Sequence, residues 1–372
     1  MSKLSITDEQ HMLTVLDLAV KGCGFVNPNP MVGALIVKDG EVIGRGYHEK
    51  YGEAHAERNA LVSCTSSPKG ATLYVNLEPC FHHGKTPPCA DAVIESGVSK
   101  VFVGCTDPNP LTSGKGIEKM RSHGIDVTVG ILEKDCRKLN ETFFHYIKTG
   151  TPYVIMKYAM TMDGKIATYT GESKWITGEP ARKKVHQDRH KYSAILVGVG
   201  TVIKDNPLLT CRIENGRNPV RIICDTNLRT PLDSQIIKTA KDVRTIIATA
   251  CATEEKQKPY IDAKCEIIIV SKIEGHVDLK ELMINLGAKK IDSVLLEGGS
   301  ELNWSALQSE IVNKVQAYIT PKIFGGLNAI SPVGGPGVDA PGSAFFLADS
   351  LVTKLGEDIL IESEVTRKCS LE

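Results

Sequence analysis

EAHAERNALVSC, residues 53–64, sets His55 and Glu57 two apart where a helix begins, and EPCFHHGKTPPC, residues 78–89, brings two cysteines after it. On the first turn of a helix, positions two apart diverge by roughly 200°. One side chain can therefore ligate a metal while the other approaches from beside it. Cys89 precedes the helical stretch ADAVIESG, so it stands at a helix N-terminus, where free N–H groups and the dipole favour a thiolate. Cys80 follows Pro79 at the end of the strand ATLYVNL. One imidazole and two thiolates make a three-ligand set for Zn2+ with the fourth position open.

That set has a chemical use. Removing an amine from an amidine-like ring carbon needs a nucleophilic water at neutral pH and a protonated leaving group. Zinc lowers the pKa of bound water to roughly 7, and a carboxylate that does not ligate the metal can carry the protons. Glu57 is placed for that task. The zinc-deaminase signature is H-x-E followed by P-C-x-x-C. HAE and PC match it, but eight residues separate Cys80 from Cys89. His82 and His83 lie in that insertion and are rival ligands. A fourth protein ligand would close the site and make it structural, leaving Glu57 without a role.

The rest of the chain bounds the reading. Its 372 residues suffice for two domains, and 42 % hydrophobic with 24 % charged residues is ordinary for a soluble protein. The apolar runs fall short of a bilayer span, and the N-terminal MSKLSITDEQHM has acids where a signal peptide needs an apolar stretch, so a cytoplasmic location is expected. Eleven scattered cysteines argue for reduced thiols rather than a disulfide framework. The 44 basic residues balance 44 acidic ones, and residues 1–150 hold 16 and 17. A nucleic-acid binder carries a positive excess, so a small-molecule substrate is favoured over a nucleic acid or a membrane.

Along the chain, TDEQHMLTVLDLAVKG reads as a helix with Thr7 as N-cap and Gln10 in capping-box spacing. VGALIVKDGEVIGRG reads as a hairpin turning at Asp39-Gly40. KVFVGC and IDVTVG are strands, with a helix between them near Gly116 to His123 and another ending near Lys148. SGKG at 113–116 lacks the spacing of a Walker A loop and reads as a turn. A Gly and a Pro in KTGTPYV mark a boundary, giving domains 1–149 and 150–372. Beyond it the apolar runs YVIMKYAM, AILVGVG, VRIICDT, RTIIATA, CEIIIV, SVLLEGG and VQAYIT alternate with helices, as in a mainly parallel sheet covered on both faces. SPVGGPGVDAPGS is a Gly/Pro loop. The fold class is α/β throughout.

HAE with EPCFHHGKTPPC is similar to the pyrimidine deaminases of riboflavin biosynthesis, whose two cysteines are likewise separated by a G-x-T-P-P-C loop. NPNPMVGALIV and TDPNPLTSGKGI resemble further motifs of that family, and YVIMKYAMTMDGKIA with GESKWITG resembles the reductase joined to it in the bifunctional bacterial enzymes. The resemblance implies a cytidine-deaminase-like three-layer domain followed by a dihydrofolate-reductase-like α/β domain. It implies hydrolysis of the 2-amino group of 2,5-diamino-6-ribosylamino-4(3H)-pyrimidinone 5′-phosphate, then reduction of the ribosyl group with NADPH; a homo-oligomer is expected, although the sequence does not give the oligomeric state.

Site residues follow by motif. Asn27, Asn29 and His48 would frame the pyrimidine; flanking prolines restrict both asparagines, although an ordinary Asn-Pro turn is a rival reading. Ala159, Trp175, Thr201, Asp205, Thr226 and Gly299 would line the cofactor, Gly299 near its phosphates at a helix start. Asp205 is also a candidate for the reductive chemistry, with Lys157 steering protons. Ser173, Arg189, Leu209, Arg212 and Glu297 would contact substrate, and the two guanidinium groups suit a ribose phosphate. Taken without the resemblance, the glycine turns could be structural, Trp175 core, and the arginines surface charges. Asp225 would repel a 2′-phosphate if it pointed inward, and Arg229 is near enough in sequence to offset it. Two other classes stay open: a nucleic-acid or free-nucleoside deaminase with an appended binding domain, and a zinc-stabilised structural protein.

Overall fold

The computed structural model describes residues 6–81, 87–109 and 112–366. The chain divides into two compact units, Met1–Gly150 and Thr151–Glu372.

The N-terminal unit runs α1 (Ile6–Val20), β1 (Gly33–Lys38), β2 (Glu41–Tyr47), α2 (Ala56–Val62), β3 (Thr72–Leu77), α3 (Cys89–Glu95), β4 (Lys100–Cys105), α4 (Lys115–Ser122), β5 (Asp126–Val129), α5 (Glu133–Leu139) and α6 (Glu141–Thr149). Its sheet has the order β2-β1-β3-β4-β5. β1 pairs antiparallel with β2 and β3, while β3, β4 and β5 are parallel. Asp39 and Gly40 turn the first hairpin, both at positive φ. The period of two along β1 separates the helical layers. A Cβ on Gly33 would strike α1 at the Val15 carbonyl, whereas Gly46, paired with the next residue Ala34, faces the backbone of α2. Helices therefore cover both faces. Two details differ from the sequence reading. Helix α1 already includes Ile6, so Thr7 lies inside it rather than at its cap. The stretch ending near Lys148 is two helices broken at Asn140, whose buried amide is committed elsewhere.

The C-terminal unit continues with β6 (Tyr153–Thr161), α7 (Glu179–Lys191), β7 (Ala194–Gly198), α8 (Val199–Asp205), β8 (Val220–Cys224), α9 (Gln235–Lys238), β9 (Thr245–Thr249), α10 (Glu254–Asp262), β10 (Glu266–Ile269), the short pair β11 (Lys272–Ile273) and β12 (His276–Val277), α11 (Leu279–Ala288), β13 (Ser293–Leu296), α12 (Ser300–Gln308), β14 (Lys314–Thr320), β15 (Phe346–Leu355) and β16 (Asp358–Thr366). The large sheet has the order β10-β9-β8-β7-β13-β6-β14-β16-β15. From β10 to β14 every pairing is parallel. Alternate residues enter two cores: Leu196, Ile222 and Ile246 join one, Ile195, Ile223 and Ile247 the other. Continuous apolar strands are what burial on both faces demands. β15 and β16 add an antiparallel hairpin at one edge, turning through Gly356 at positive φ.

Candidate active sites

Helix α2 brings His55 and Glu57 to the first site. Its N-cap is His55 itself, in extended conformation, so the imidazole leaves the helix end while Glu57 lies in the first turn. Cys80 lies just beyond β3, and Cys89 opens α3. His55 Nδ1 lies 3.6 Å from Cys80 Sγ and 3.3 Å from Cys89 Sγ, and the three ligand atoms fall within 4.8 Å of one another. The Cys89 N–H donates to Cys80 Sγ at 3.2 Å. A hydrogen bond from Cys89, working against burial and helped by His55, pulls the Cys80 thiol down to about 4. Facing that thiolate, the buried Cys89 thiol is pushed up. One nitrogen and two sulfurs at this spacing fit a tetrahedral zinc with a vacant corner. His82 and His83, the rival ligands, lie outside the described residues.

Glu57 is 3 % exposed, and burial raises its carboxyl above the usual range. It lines a cavity of about 280 Å³ together with His55, Cys80, Asn29 and His48. The His48 ring is buried, which lowers its pKa and favours the neutral form. Nδ1 lies 3.1 Å from the Ala54 carbonyl, so that nitrogen carries the proton, and Nε2 accepts from Asn29 Nδ2 at 3.3 Å. The Asn29 amide is thereby oriented. The NPNP segment is fixed from behind, because the Met31 backbone meets Asn140 at both its N–H and carbonyl and also receives Asn76 Nδ2. Asn140 stands at the break between α5 and α6.

The sequence reading missed part of this wall. Asp107 and Asn109, after β4, and Phe143 and Ile147, on α6, also line the cavity. TDPNP carried the signal for the first two. Parallel pairing of β3 with β4 sets that segment beside the end of β3.

In the C-terminal unit, candidates gather at the carboxyl ends of adjacent parallel strands, where open α/β sheets bind ligands. Glu297 follows β13, Lys157 and Ala159 lie on β6, Thr226 follows β8, and α8 follows β7 directly. Glu297 takes a two-pronged bond from Arg189, at 2.8 and 3.0 Å, and Lys157 Nζ stands 3.8 Å away. Burial alone would raise the Glu297 carboxyl, but the charges of Arg189 and Lys157 outweigh it and hold the group at about 2. Burial lowers Lys157, an effect Glu297 partly offsets. Arg189 also donates to the Thr210 carbonyl, tying the segment that carries Leu209 and Arg212. Arg189 is thus largely committed within the protein, while Arg212 is exposed.

Gly198 and Gly299 are the N-caps of α8 and α12 and form no side-chain cap. A Cβ on Gly299 would find only Thr201 Oγ1, at 4.0 Å, so this helix start leaves room for a bulky anion. Asp205 ends α8. Asp225 is fully buried, and its Oδ2 accepts from the Thr230 N–H and hydroxyl, both at 2.7 Å. It serves its own loop. Trp175 is 65 % exposed and stacked by Arg182 at 4.8 Å, which removes the core reading. Ser173, two residues before it, is half-buried.

Two family models match. Residues 5–105 fit the cytidine and deoxycytidylate deaminase zinc-binding region, and residues 152–361 fit the RibD C-terminal domain. The riboflavin biosynthesis protein RibD of Actinobacillus pleuropneumoniae is 52 % identical over 358 residues, covering 96 % of this chain and 95 % of that protein. The chain belongs to the RibD family. The relative from Aquifex aeolicus is 44 % identical, covering 95 % and 97 % of the two chains. Among solved structures, a diaminohydroxyphosphoribosylaminopyrimidine deaminase/5-amino-6-(5-phosphoribosylamino)uracil reductase from Thermotoga maritima matches with TM-score 0.84 and 41 % identity, over 97 % of this chain and 99 % of that one. Acinetobacter baumannii RibD, form 1, matches with TM-score 0.87 and 35 % identity over the same shares. The RibD family architecture, a deaminase-like domain before a reductase domain, therefore accounts for both units. Among the described residues, no helix is long and apolar enough to cross a membrane.

Proposed function

We propose that the chain performs two consecutive steps of riboflavin biosynthesis. The first is deamination of 2,5-diamino-6-ribosylamino-4(3H)-pyrimidinone 5′-phosphate in the N-terminal unit, residues 1–149 in the sequence division. The second is reduction of the ribosyl group to a ribityl chain in the C-terminal unit. The observation that carries the reading is the convergence of His55, Cys80 and Cys89, with His55 and Cys80 lining the same cavity as the buried Glu57.

Zinc held by those three residues would supply the Lewis acidity that makes water nucleophilic at neutral pH. The chain's own groups do the rest. Glu57 takes one proton from the attacking water to the ring nitrogen, then carries the second from the new hydroxyl to the departing amine, which leaves as ammonia. His48 fixes the Asn29 amide, and with Asn27 these groups orient the pyrimidine. In the C-terminal unit NADPH supplies the hydride. The N-terminus of α12 at Gly299 would receive its phosphates, with Ala159, Trp175, Thr201, Asp205 and Thr226 along it. Lys157 is within reach to steer a proton, and Glu297 keeps Lys157 and Arg189 in place. Ser173, Leu209 and Arg212 would meet the substrate, with Arg212 the freer cation for its phosphate. NADPH is expected over NADH, because Asp225 is turned into its own loop and leaves Arg229 unopposed by it.

A homo-oligomer and a cytoplasmic location complete the reading. The outer strand β15 exposes Leu347, Leu351 and Val352, apolar surface that self-association would cover. The deciding experiment is incubation with the pyrimidine phosphate, followed by product mass. Without NADPH the product should have exchanged an amino group for oxygen; with NADPH it should also have gained two hydrogens. An unchanged mass in both reactions would overturn the proposal.

A further inference from the structure

Glu78 immediately precedes Pro79 and Cys80, and it is only 3 % exposed. Its carboxylate collects four backbone N–H groups. Oε2 accepts from Asp107 at 3.2 Å and Gly114 at 3.0 Å; Oε1 accepts from Gly116 at 3.0 Å and Ile117 at 3.4 Å. All four donors come from the stretches 107–109 and 112–117, between β4 and the first turn of α4. The phosphate-like turn SGKG thus has an anion, but it is the chain's own carboxylate. A second contact lies beside this one. A Cβ on Gly116 would stand 2.3 Å from the Pro79 carbonyl oxygen, so the two backbones touch there. The stretch held in this way carries Asp107 and Asn109 into the cavity wall, with the Asn109 N–H braced on Asp107 Oδ1 at 2.8 Å.

We infer that Glu78 is a positioning residue for deamination: it clamps this segment to the strand end bearing Cys80 and so fixes Asp107 and Asn109 relative to the metal ligands. The inference rests on the deaminase reading of the N-terminal unit. His55 and Glu57 come from the start of α2, away from the clamp, whereas Cys80 directly follows the clamped Pro79, so zinc content shows whether the ligands move too. Loosening the clamp weakens substrate binding more than turnover. A neutral amide at position 78 presents an NH2 group to two of the four donors and leaves them unmet in a buried place.

The test compares Glu78→Gln and Gly116→Ala with the wild-type chain, all zinc-loaded, by steady-state kinetics, zinc content and amide hydrogen exchange. Gly116→Ala presses on the Pro79 carbonyl and opens the clamp without altering any charge. It also decides the matter if Glu78→Gln does not fold. Both variants should keep wild-type zinc content and lose amide protection at Asp107, Gly114 and Gly116. The KM for the pyrimidine phosphate should rise at least about tenfold while kcat stays within about threefold. A wild-type KM in variants that have lost protection overturns the inference. So does loss of zinc, which would tie Glu78 to Cys80 instead. If the wild-type chain releases no ammonia from the pyrimidine phosphate, the deaminase reading itself fails and the clamp's role fails with it.

Discussion

Glu57 is buried and Glu297 keeps 12 % side-chain exposure, and their neighbours give the two carboxylates opposite characters. Glu57 sits beside Cys80 and Cys89, so burial and the Cys80 thiolate raise its carboxyl, with His55 pulling the other way. Glu57→Gln keeps shape and reach but cannot accept a proton. Deamination should fall at least roughly a hundredfold, the lower range for a general acid–base group, with zinc content unchanged by metal analysis. Glu297 instead faces two cations. Its folded value of about 2 lies below the ordinary 4.5, so its stabilisation is complete above pH 4.5 and lost as pH falls toward 2. The amount is on the order of 3 kcal/mol. Glu297→Gln leaves Arg189 and Lys157 facing each other without an anion, and should cost about 3 to 5 kcal/mol at neutral pH. Urea denaturation of the C-terminal unit across this pH range measures both. A variant as stable as wild type at pH 7 would show that solvent screens the cluster.

Among the elements, α2 depends on the glycines of β2. A Cβ on Gly46 would lie 2.3 Å from the Ala60 nitrogen and 2.5 Å from the Ala56 carbonyl, and one on Gly44 would lie 2.5 Å from the Ala60 carbonyl. The helix carrying His55 and Glu57 rests directly on strand backbone. Gly46→Ala should push α2 away, costing about 1 to 3 kcal/mol and weakening zinc retention against a chelator. Unchanged melting and metal retention would mean that the helix can shift without cost. How much of this is legible in the sequence depends on whether an element is defined by its own pattern. The seven parallel strands of the C-terminal unit are continuous Val/Ile/Leu runs and could be read directly. The convergence of His55, Cys80 and Cys89 was legible because HAE and the two cysteines carry their chemistry locally. The bracing of Met31 by Asn140 was not, since the two residues lie 109 apart in sequence. Hairpin β15–β16 was not read either; its half-exposed strands follow a Gly/Pro loop, and the two-residue turn Gly356-Glu357 was its one local sign. Asp107 and Asn109 reach the cavity through strand pairing, which spacing does not reveal.

At the level of the whole molecule, each unit has its own core: residues 12 to 144 form one, residues 153 to 360 the others. The two chemistries should therefore separate by mutation. Asp205→Ala should impair reduction and leave ammonia release intact, while Glu57→Gln should leave reduction of supplied deaminated substrate nearly unchanged. Paired assays on both variants check this; loss of both activities in either folded, zinc-loaded variant would require one shared site. The pairing of β6 also has a consequence for biosynthesis on the ribosome. Tyr153 of β6 finds its partner at Ser293 of β13, 140 residues later. At about 5 to 20 residues per second, the nascent β6 waits roughly 7 to 30 s before the chain that will flank it has been made. The N-terminal sheet is complete in sequence by Val129 and need not wait. During that interval an apolar strand with both edges open emerges from a growing polypeptide, the kind of exposed edge that chaperones shield.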